Sequence, residues 1–164
     1  MTIRLAHIDD IRRIDNIYNQ AIAAGEQTAH TEPYTSKQRT EWFKAHSPDQ
    51  FPIFVAEIDG IIAGFAFVSP YRHDRKALNN TAILSAFVDI KMHRKGIGKA
   101  LIIHMEEACK EIGIRNLFGI IIETNTPSIE LMKKCGYTQW AHLPLVAEFD
   151  GKEVGQVYYG KRID

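Results

Sequence analysis

The stretch from Thr81 to Glu123 constrains the fold most, because it reads as strand, helix and strand in direct succession. Thr81 to Ile90 is a β-rich run that enters Lys91-Met92-His93-Arg94-Lys95-Gly96-Ile97-Gly98. Beyond it, Ile97, Leu101, Met105, Ala108 and Ile112 recur every three or four positions, the spacing of a helix face. Gly113 stands where a left-handed residue ends a helix, and Arg115 to Glu123 follows as a buried strand. Two strands of one sheet joined by a crossover helix run parallel, so the chain is committed to at least one parallel pair.

The remaining segments require antiparallel pairs. Ile53 to Ile58 and Ile61 to Val68 meet at Asp59-Gly60, and Tyr137 to Phe149 and Glu153 to Ile163 meet at Asp150-Gly151, dipeptides that accept the positive φ of a tight hairpin. Thr2 to Ala6 alternates as a short strand. Asp9 is the expected N-cap of a helix on which Ile11, Ile14, Ile17, Tyr18, Ala21 and Ile22 recur at helical spacing, and which stops at Gly25. After a polar loop over 26–35, Ser36 is expected to cap a shorter helix carrying Trp42 and Phe43 inward. Asn125 or Thr126 caps a helix with Pro127 in its first turn, ended by Gly136. The expected fold is a mixed α/β domain spanning residues 1–164.

Charge narrows the function. Lys+Arg 20 balances Asp+Glu 20, which removes the broad positive field of a nonspecific nucleic-acid binder. No window approaches the ~20 apolar residues that a membrane-spanning helix needs, and the N-terminus lacks the apolar stretch of a signal peptide. Cys109 and Cys135 both fall in helical stretches and fit a reduced, cytoplasmic setting better than a disulfide framework. His73, His104 and His142 lack metal-ligand spacing, so no metal is expected.

Chemistry concentrates at the start of the helix after Thr81 to Ile90. Gly96 and Gly98 let backbone N–H groups approach a ligand where the helix carries partial positive charge, and that geometry selects an anion. Lys91, His93, Arg94, Lys95 and Lys99 crowd the same end, where the helix dipole opposes them unless a phosphate sits among them. A solvated basic turn is the plainer alternative. The stretch has no Gly-Lys-Ser/Thr ending of a nucleotide P-loop and lacks the three-glycine spacing of a dinucleotide fold.

His93-Arg94-Lys95-Gly96-Ile97-Gly98 resembles the Gln/Arg-x-x-Gly-x-Gly/Ala signature of the GNAT superfamily of N-acetyltransferases, with His in the first position. Thr31-Glu32-Pro33 with Thr35, Ser69-Pro70-Tyr71-Arg72, and Asn125-x-x-Ser128-x-x-Leu131 before Gly136-Tyr137 extend the likeness to the phosphinothricin-type branch. The resemblance implies a central, mostly antiparallel sheet with a splayed parallel strand pair, flanked by helices, and a bent acetyl-CoA lying in the splay. It implies that Ala86, Phe87 and Val88 offer backbone groups to the pantetheine arm and that the stretch from His93 to Gly98, including Ile97, holds the pyrophosphate. Asn125 and Ser128 then touch the far side of the cofactor, although each also has a plain role in helix capping. It further implies a homodimer and direct transfer in a ternary complex to a small amine.

The chain departs from that branch at three points. The strand glutamate thought to deprotonate the amine is Ile83, the Tyr or His candidate for protonating the thiolate is Met132, and the Trp and Asp of the last strand are absent. These losses point away from phosphinothricin itself. Glu32, in the loop expected over the acceptor, and Glu123, at a strand end, are the candidates to take the proton. Tyr71, Arg72 and Arg75 are candidates to clamp an acceptor carboxylate, since arginine binds such groups bidentately. Cys135 and Trp42 read as packing residues and Trp140 as an interface residue. Two other readings stay open, acetylation of a peptide or protein and an acyl-CoA-binding sensor without turnover.

Overall fold

The computed structural model describes residues 1–164, and its strands and helices follow the hydrophobic periods closely. β1 (Thr2–Leu5), α1 (Ile11–Ala24), α2 (Ser36–Lys44), β2 (Ile53–Ile58), β3 (Ile61–Pro70) and β4 (Thr81–Val88) form the first half. α3 (Ile97–Glu111), β5 (Asn116–Ile122), α4 (Thr126–Lys134), β6 (Thr138–Phe149) and β7 (Lys152–Arg162) form the second. The strands make one sheet in the order β1-β2-β3-β4-β5-β7-β6. Every neighbouring pair is antiparallel except β4 with β5, the pair joined through α3. No helix is long and apolar enough to cross a membrane.

Both faces of the sheet are covered. On one, Ile14, Ile17 and Tyr18 of α1 bury against Val55, Ile62 and Phe65. On the other, Leu101, Ile102 and Met105 of α3 and Met132 of α4 pack with Leu84, Leu117, Ile121 and Val157. Burying each large apolar side chain contributes roughly 1.5–3 kcal/mol, so this two-sided core fixes the sheet on which the site is built. The hairpin turns hold as expected, with positive φ at Asp59 and Gly60 and at Asp150 and Gly151.

Several boundaries differ from the sequence reading: β3 runs on to Pro70 rather than ending at Val68, β5, β6 and β7 shift by a residue, and three others move through side-chain bonds. Asp9 does not cap α1; a 3-10 turn over Ile8–Asp10 precedes it, capped by His7, and Asp10 supplies its carboxylate to the His7 N–H at 2.7 Å and to Arg4. The N-cap of α2 is Thr35 rather than Ser36, because Thr35 and Gln38 cap one another, N–H to side chain at 2.8 and 3.2 Å. β4 stops at Val88 instead of Ile90, since the Asp89 carboxylate takes the Lys91 N–H at 2.8 Å and turns the chain into a 3-10 turn over Ile90–Met92.

Candidate active site

The parallel pair opens into a wedge. Register between β4 and β5 covers only Thr81, Ala82 and Ile83 against Asn116, Leu117 and Phe118, after which the strands part. Along β4, residues alternate between its two edges. Phe87 pairs with Phe65 of β3 and the Asp89 N–H reaches the Ala63 carbonyl at 2.9 Å, so the backbone groups of Phe87 point to β3. Those of Ala86 and Val88 point into the wedge, and a strand-like ligand there meets these two residues and not Phe87. The Val88 carbonyl also receives the His93 ring nitrogen Nε2 at 3.0 Å.

At the wide end, the loop into α3 is pinned from behind. Asp89 is 4% exposed and accepts from Lys91, from the Arg13 guanidinium and from Gln20 at 3.4 Å, while the Gln20 side-chain oxygen takes the Ile90 N–H at 2.9 Å. α1 therefore holds the turn that leads into the glycines. Gly96 caps α3 in the left-handed region at φ 78°, with no side chain bonded to the first-turn N–H groups and no acidic residue in that turn. Arg94, itself at φ 63°, and Lys95 and Lys99 are exposed and none is paired with a carboxylate. Free N–H groups, a dipole end and three unpaired cations make this corner receptive to phosphate. Gly98 has a second role, because a Cβ there would lie 2.9 Å from Leu131 Cδ2 of α4. It lets α4 close on the start of α3.

On the far side of the wedge, the Asn125 side-chain oxygen caps α4 by accepting the Ser128 N–H at 3.3 Å. Its capping role is thus realised, and its amide NH2 and the Ser128 hydroxyl keep their capacity for a ligand. Asn125 also lines a cleft of about 280 Å³ with Gly25, Glu26, Gln27, Thr124 and Pro127. Glu26 bridges this rim, taking Thr124 Oγ1 at 2.5 Å and Lys152 Nζ at 2.8 Å. Nothing in the local sequence marks the last contact, since its partners lie 126 positions apart.

The predicted proton acceptors are not brought together. Glu32 is exposed in the loop between α1 and α2. Glu123 shares a sheet face with Ile121 and Val157, which pack under α3 and α4, and its carboxylate crosses Gly155 to accept that residue's N–H at 2.5 Å and meet His142 Nε2 at 2.7 Å. The bond from Gly155 and then that from His142 hold its carboxyl below the usual carboxylate range, which makes it a weak base. Ile83 closes the last rung of the wedge opposite Phe118 and shares with Phe87 the α1 face of the sheet; Met132 is 5% exposed under Gly119. Neither titrates.

Two of the three clamp residues do meet. The Tyr71 ring lies edge-on to Phe118 at 5.1 Å, and the Arg72 guanidinium sits 5.6 Å above Tyr71. Arg75 instead turns to its neighbour Asp74. Trp140 lies flat on Gly160, where any Cβ would overlap its indole, and stands 6.3 Å from Phe118.

Residues 14–137 match the model of the acetyltransferase (GNAT) family. YwnH of Bacillus subtilis (strain 168), whose name provisionally assigns it as a phosphinothricin acetyltransferase, is 36% identical over 165 residues, covering 99% of each chain. The phosphinothricin N-acetyltransferase of Streptomyces viridochromogenes is 30% identical over 138 residues, 83% of this chain and 73% of that one. The structure of yncA from Salmonella typhimurium with its cofactor acetyl-CoA superposes with a TM-score of 0.93 at 25% identity, covering 100% of this chain and 94% of that one.

Proposed function

The chain belongs to the GNAT acetyltransferase family, and on that premise we propose that it moves the acetyl group of acetyl-CoA directly onto the amine of a small, amino-acid-like molecule. The observation that carries the reading is the wedge itself. Its narrow end is the Ile83–Phe118 rung, one arm presents the Ala86 and Val88 backbone, and its wide end is the unpaired basic start of α3. An extended ligand with a phosphate at one end and a thioester at the other is complementary to that shape. At the narrow end, Arg72 over Tyr71 offers a guanidinium free of any carboxylate partner to the acid group of the acceptor.

The chemistry needs few groups. The neutral amine places its lone pair on the carbonyl carbon, the carbon–sulfur bond breaks with its electron pair leaving on sulfur, and the proton shed by the nitrogen passes through water to that thiolate, which leaves as the thiol. The N–H groups of Ala86 and Val88 are the backbone donors facing the wedge, and donors so fixed stabilise the developing oxyanion without reorganising. Holding amine and thioester in one cleft supplies much of the remaining rate. The chain acts as a homodimer in this reading, supported by the exposed apolar surface of β6, where Trp140, Leu145 and Val146 are 48%, 61% and 51% exposed. Sedimentation at several concentrations tests that association.

Thiol release from acetyl-CoA with amino acids, methionine sulfone and sulfoximine, phosphinothricin, polyamines and short peptides tests the transfer, beside calorimetric titration of acetyl-CoA alone. Turnover confined to small amino-acid-like acceptors is expected. Turnover only with peptides moves the acceptor class, and binding without turnover on the whole panel means a sensor, the reading that the losses at Ile83 and Met132 favour.

A further inference from the structure

The segment between α1 and α2 crosses from one arm of the wedge to the other on the sheet face opposite α3. Glu26 ties its start to Thr124, just past β5, and to Lys152 of β7. Four residues later His30 meets Tyr18 of α1, whose ring is edge-on to Phe87 at 4.7 Å, on the end of β4 that pairs with β3 but not with β5. His30 Nδ1 lies 2.5 Å from the Tyr18 hydroxyl, which is also 3.0 Å from Thr28 Oγ1, and His30 Nε2 lies 3.2 Å from the Tyr34 hydroxyl. From α2, the buried Arg39 guanidinium stacks 4.7 Å from the Tyr18 ring and 4.4 Å from the Tyr34 ring, with Asp15 on its Nε at 2.9 Å. The imidazole thus has hydroxyls on both nitrogens, one cation nearby and no carboxylate bonded to it.

The acceptor amine must lose a proton before it attacks, and the other groups near the wedge are poorly fitted to receive it. Ile83 and Met132 cannot, Glu123 faces the opposite side of the sheet, His93 is committed to the Val88 carbonyl, and the Glu32 side chain, exposed in the same loop, is bonded to no group that would aim it at the wedge. We infer that His30 is the proton acceptor of the transfer, taking the amine's proton through the Tyr18 hydroxyl, a role that rests on the acetyl-transfer reading above. An ammonium proton passes to Tyr18 Oη as the phenol's own proton moves to His30 Nδ1. The ring becomes an imidazolium whose Nε2–H still donates to Tyr34. The exposed side of His30 then returns the proton to water, and the amine keeps the lone pair that forms the new N–C bond. Burial and then Arg39 hold the imidazole below its ordinary value of 6.5, so its accepting, neutral form prevails near neutrality.

The test compares wild type, His30→Gln and Tyr18→Phe in kcat and kcat/KM over about pH 5 to 8, the range in which an imidazole titrates. Wild-type kcat/KM is expected to rise with pH through one inflection below 6.5 and then level off. His30→Gln, which keeps a hydrogen bond but takes no proton, loses that inflection and about 10²-fold in kcat, the usual reach of a general base. Tyr18→Phe keeps the ring on Phe87 and loses kcat similarly. Calorimetric Kd for acetyl-CoA stays at the wild-type value in both, a readout of an intact cleft. If His30→Gln does not fold, Tyr18→Phe decides alone. An inflection retained in His30→Gln, or wild-type kcat in Tyr18→Phe, overturns the inference while leaving acetyl transfer standing. Acetyl-CoA bound by wild type with no thiol released on any acceptor overturns both.

Discussion

Replacing Asp89 by asparagine removes one charge while keeping the side chain's shape, and so tests whether α1 holds the loop proposed to receive phosphate. The carboxylate is 4% exposed and is bonded on three sides, by the Lys91 N–H, Arg13 and Gln20. In Asp89→Asn one oxygen becomes an NH2, so either the Lys91 N–H or the Arg13 guanidinium faces another donor. A buried hydrogen bond to a charged group contributes about 1.5–3 kcal/mol. Arg13 is 32% exposed and regains some hydration, which puts the loss near ~2 kcal/mol. For a chain of this size that lowers the melting temperature by roughly 4–8 °C. The turn at Ile90–Met92 then has to be ordered by the ligand, and a share of ~1.4 kcal/mol weakens acetyl-CoA binding about tenfold. Thermal melts and calorimetric titration measure the two effects, with kcat changing less than KM for acetyl-CoA. A double-mutant cycle with Arg13→Gln should show a coupling above roughly 1 kcal/mol. Unchanged melting and unchanged acetyl-CoA affinity in Asp89→Asn would refute the idea that this carboxylate braces the loop.

Gly155→Ala places a Cβ 2.7 Å from both Glu123 Oε2 and the Leu143 carbonyl, so its urea midpoint should fall by the equivalent of about 1–3 kcal/mol. In a Glu123→Ala background the loss should shrink without vanishing, because the Leu143 backbone cannot withdraw. Glu26→Gln weakens the tie to Lys152, which is 60% exposed, so the global melting temperature should hardly move, but amide exchange over residues 26–35 should quicken; unchanged exchange would mean that the bridge does not hold the loop. Acid should destabilise the protein in two stages. His30 and His46 both titrate below 6.5 in the folded chain, chiefly through burial, so from 6.5 downward the unfolded chain takes up more protons and stability falls. Asp10 and Asp89 lie below 3.8 because their hydrogen bonds, chiefly from Arg4 for Asp10 and from the Lys91 N–H for Asp89, outweigh burial; their contribution is present above 3.8 and is lost as pH falls through that region. Denaturant titrations at a series of pH values would show both declines, and a flat profile between neutrality and 5 would contradict the first.

The sheet and its four helices were legible because periodicity is a local property. Apolar residues at helical spacing in α3 and the Asp-Gly turns each carry their signal within a few residues. Three of the boundaries that moved did so through side chains that bond to neighbouring backbone, as Thr35 with Gln38 and Asp89 with Lys91 do, and several residues nearby could have made such bonds equally well. The glycine turn at the start of α3 was legible for a related reason, since glycines mark where chain must bend or approach. What could not be read was which side chain spends itself on a distant partner. Glu123 resembles a free strand-end carboxylate until Gly155, 32 positions on, is seen to leave room for it beside His142. Tyr18 and His30 lie close in sequence, but only the fold brings their pair to Phe87.

The two margins of the sheet bear on how this protein avoids growing into fibres. An open strand edge is a template for another strand, and an outer strand as long as the twelve residues of β6 is a hazard of that kind. Its register against β7 breaks twice, however, and within the second break Pro144 has no N–H to offer while Leu145 adopts φ 51°. The opposite margin, β1, is only four residues long. A copy that docks on the apolar side chains of β6 therefore finds no long, straight row of hydrogen-bonding groups along which to extend. Straightening that bulge by deleting Pro144 and Leu145 would convert an edge that blocks strand addition into one that recruits without end, visible as thioflavin-positive aggregates from a chain whose core is unaltered.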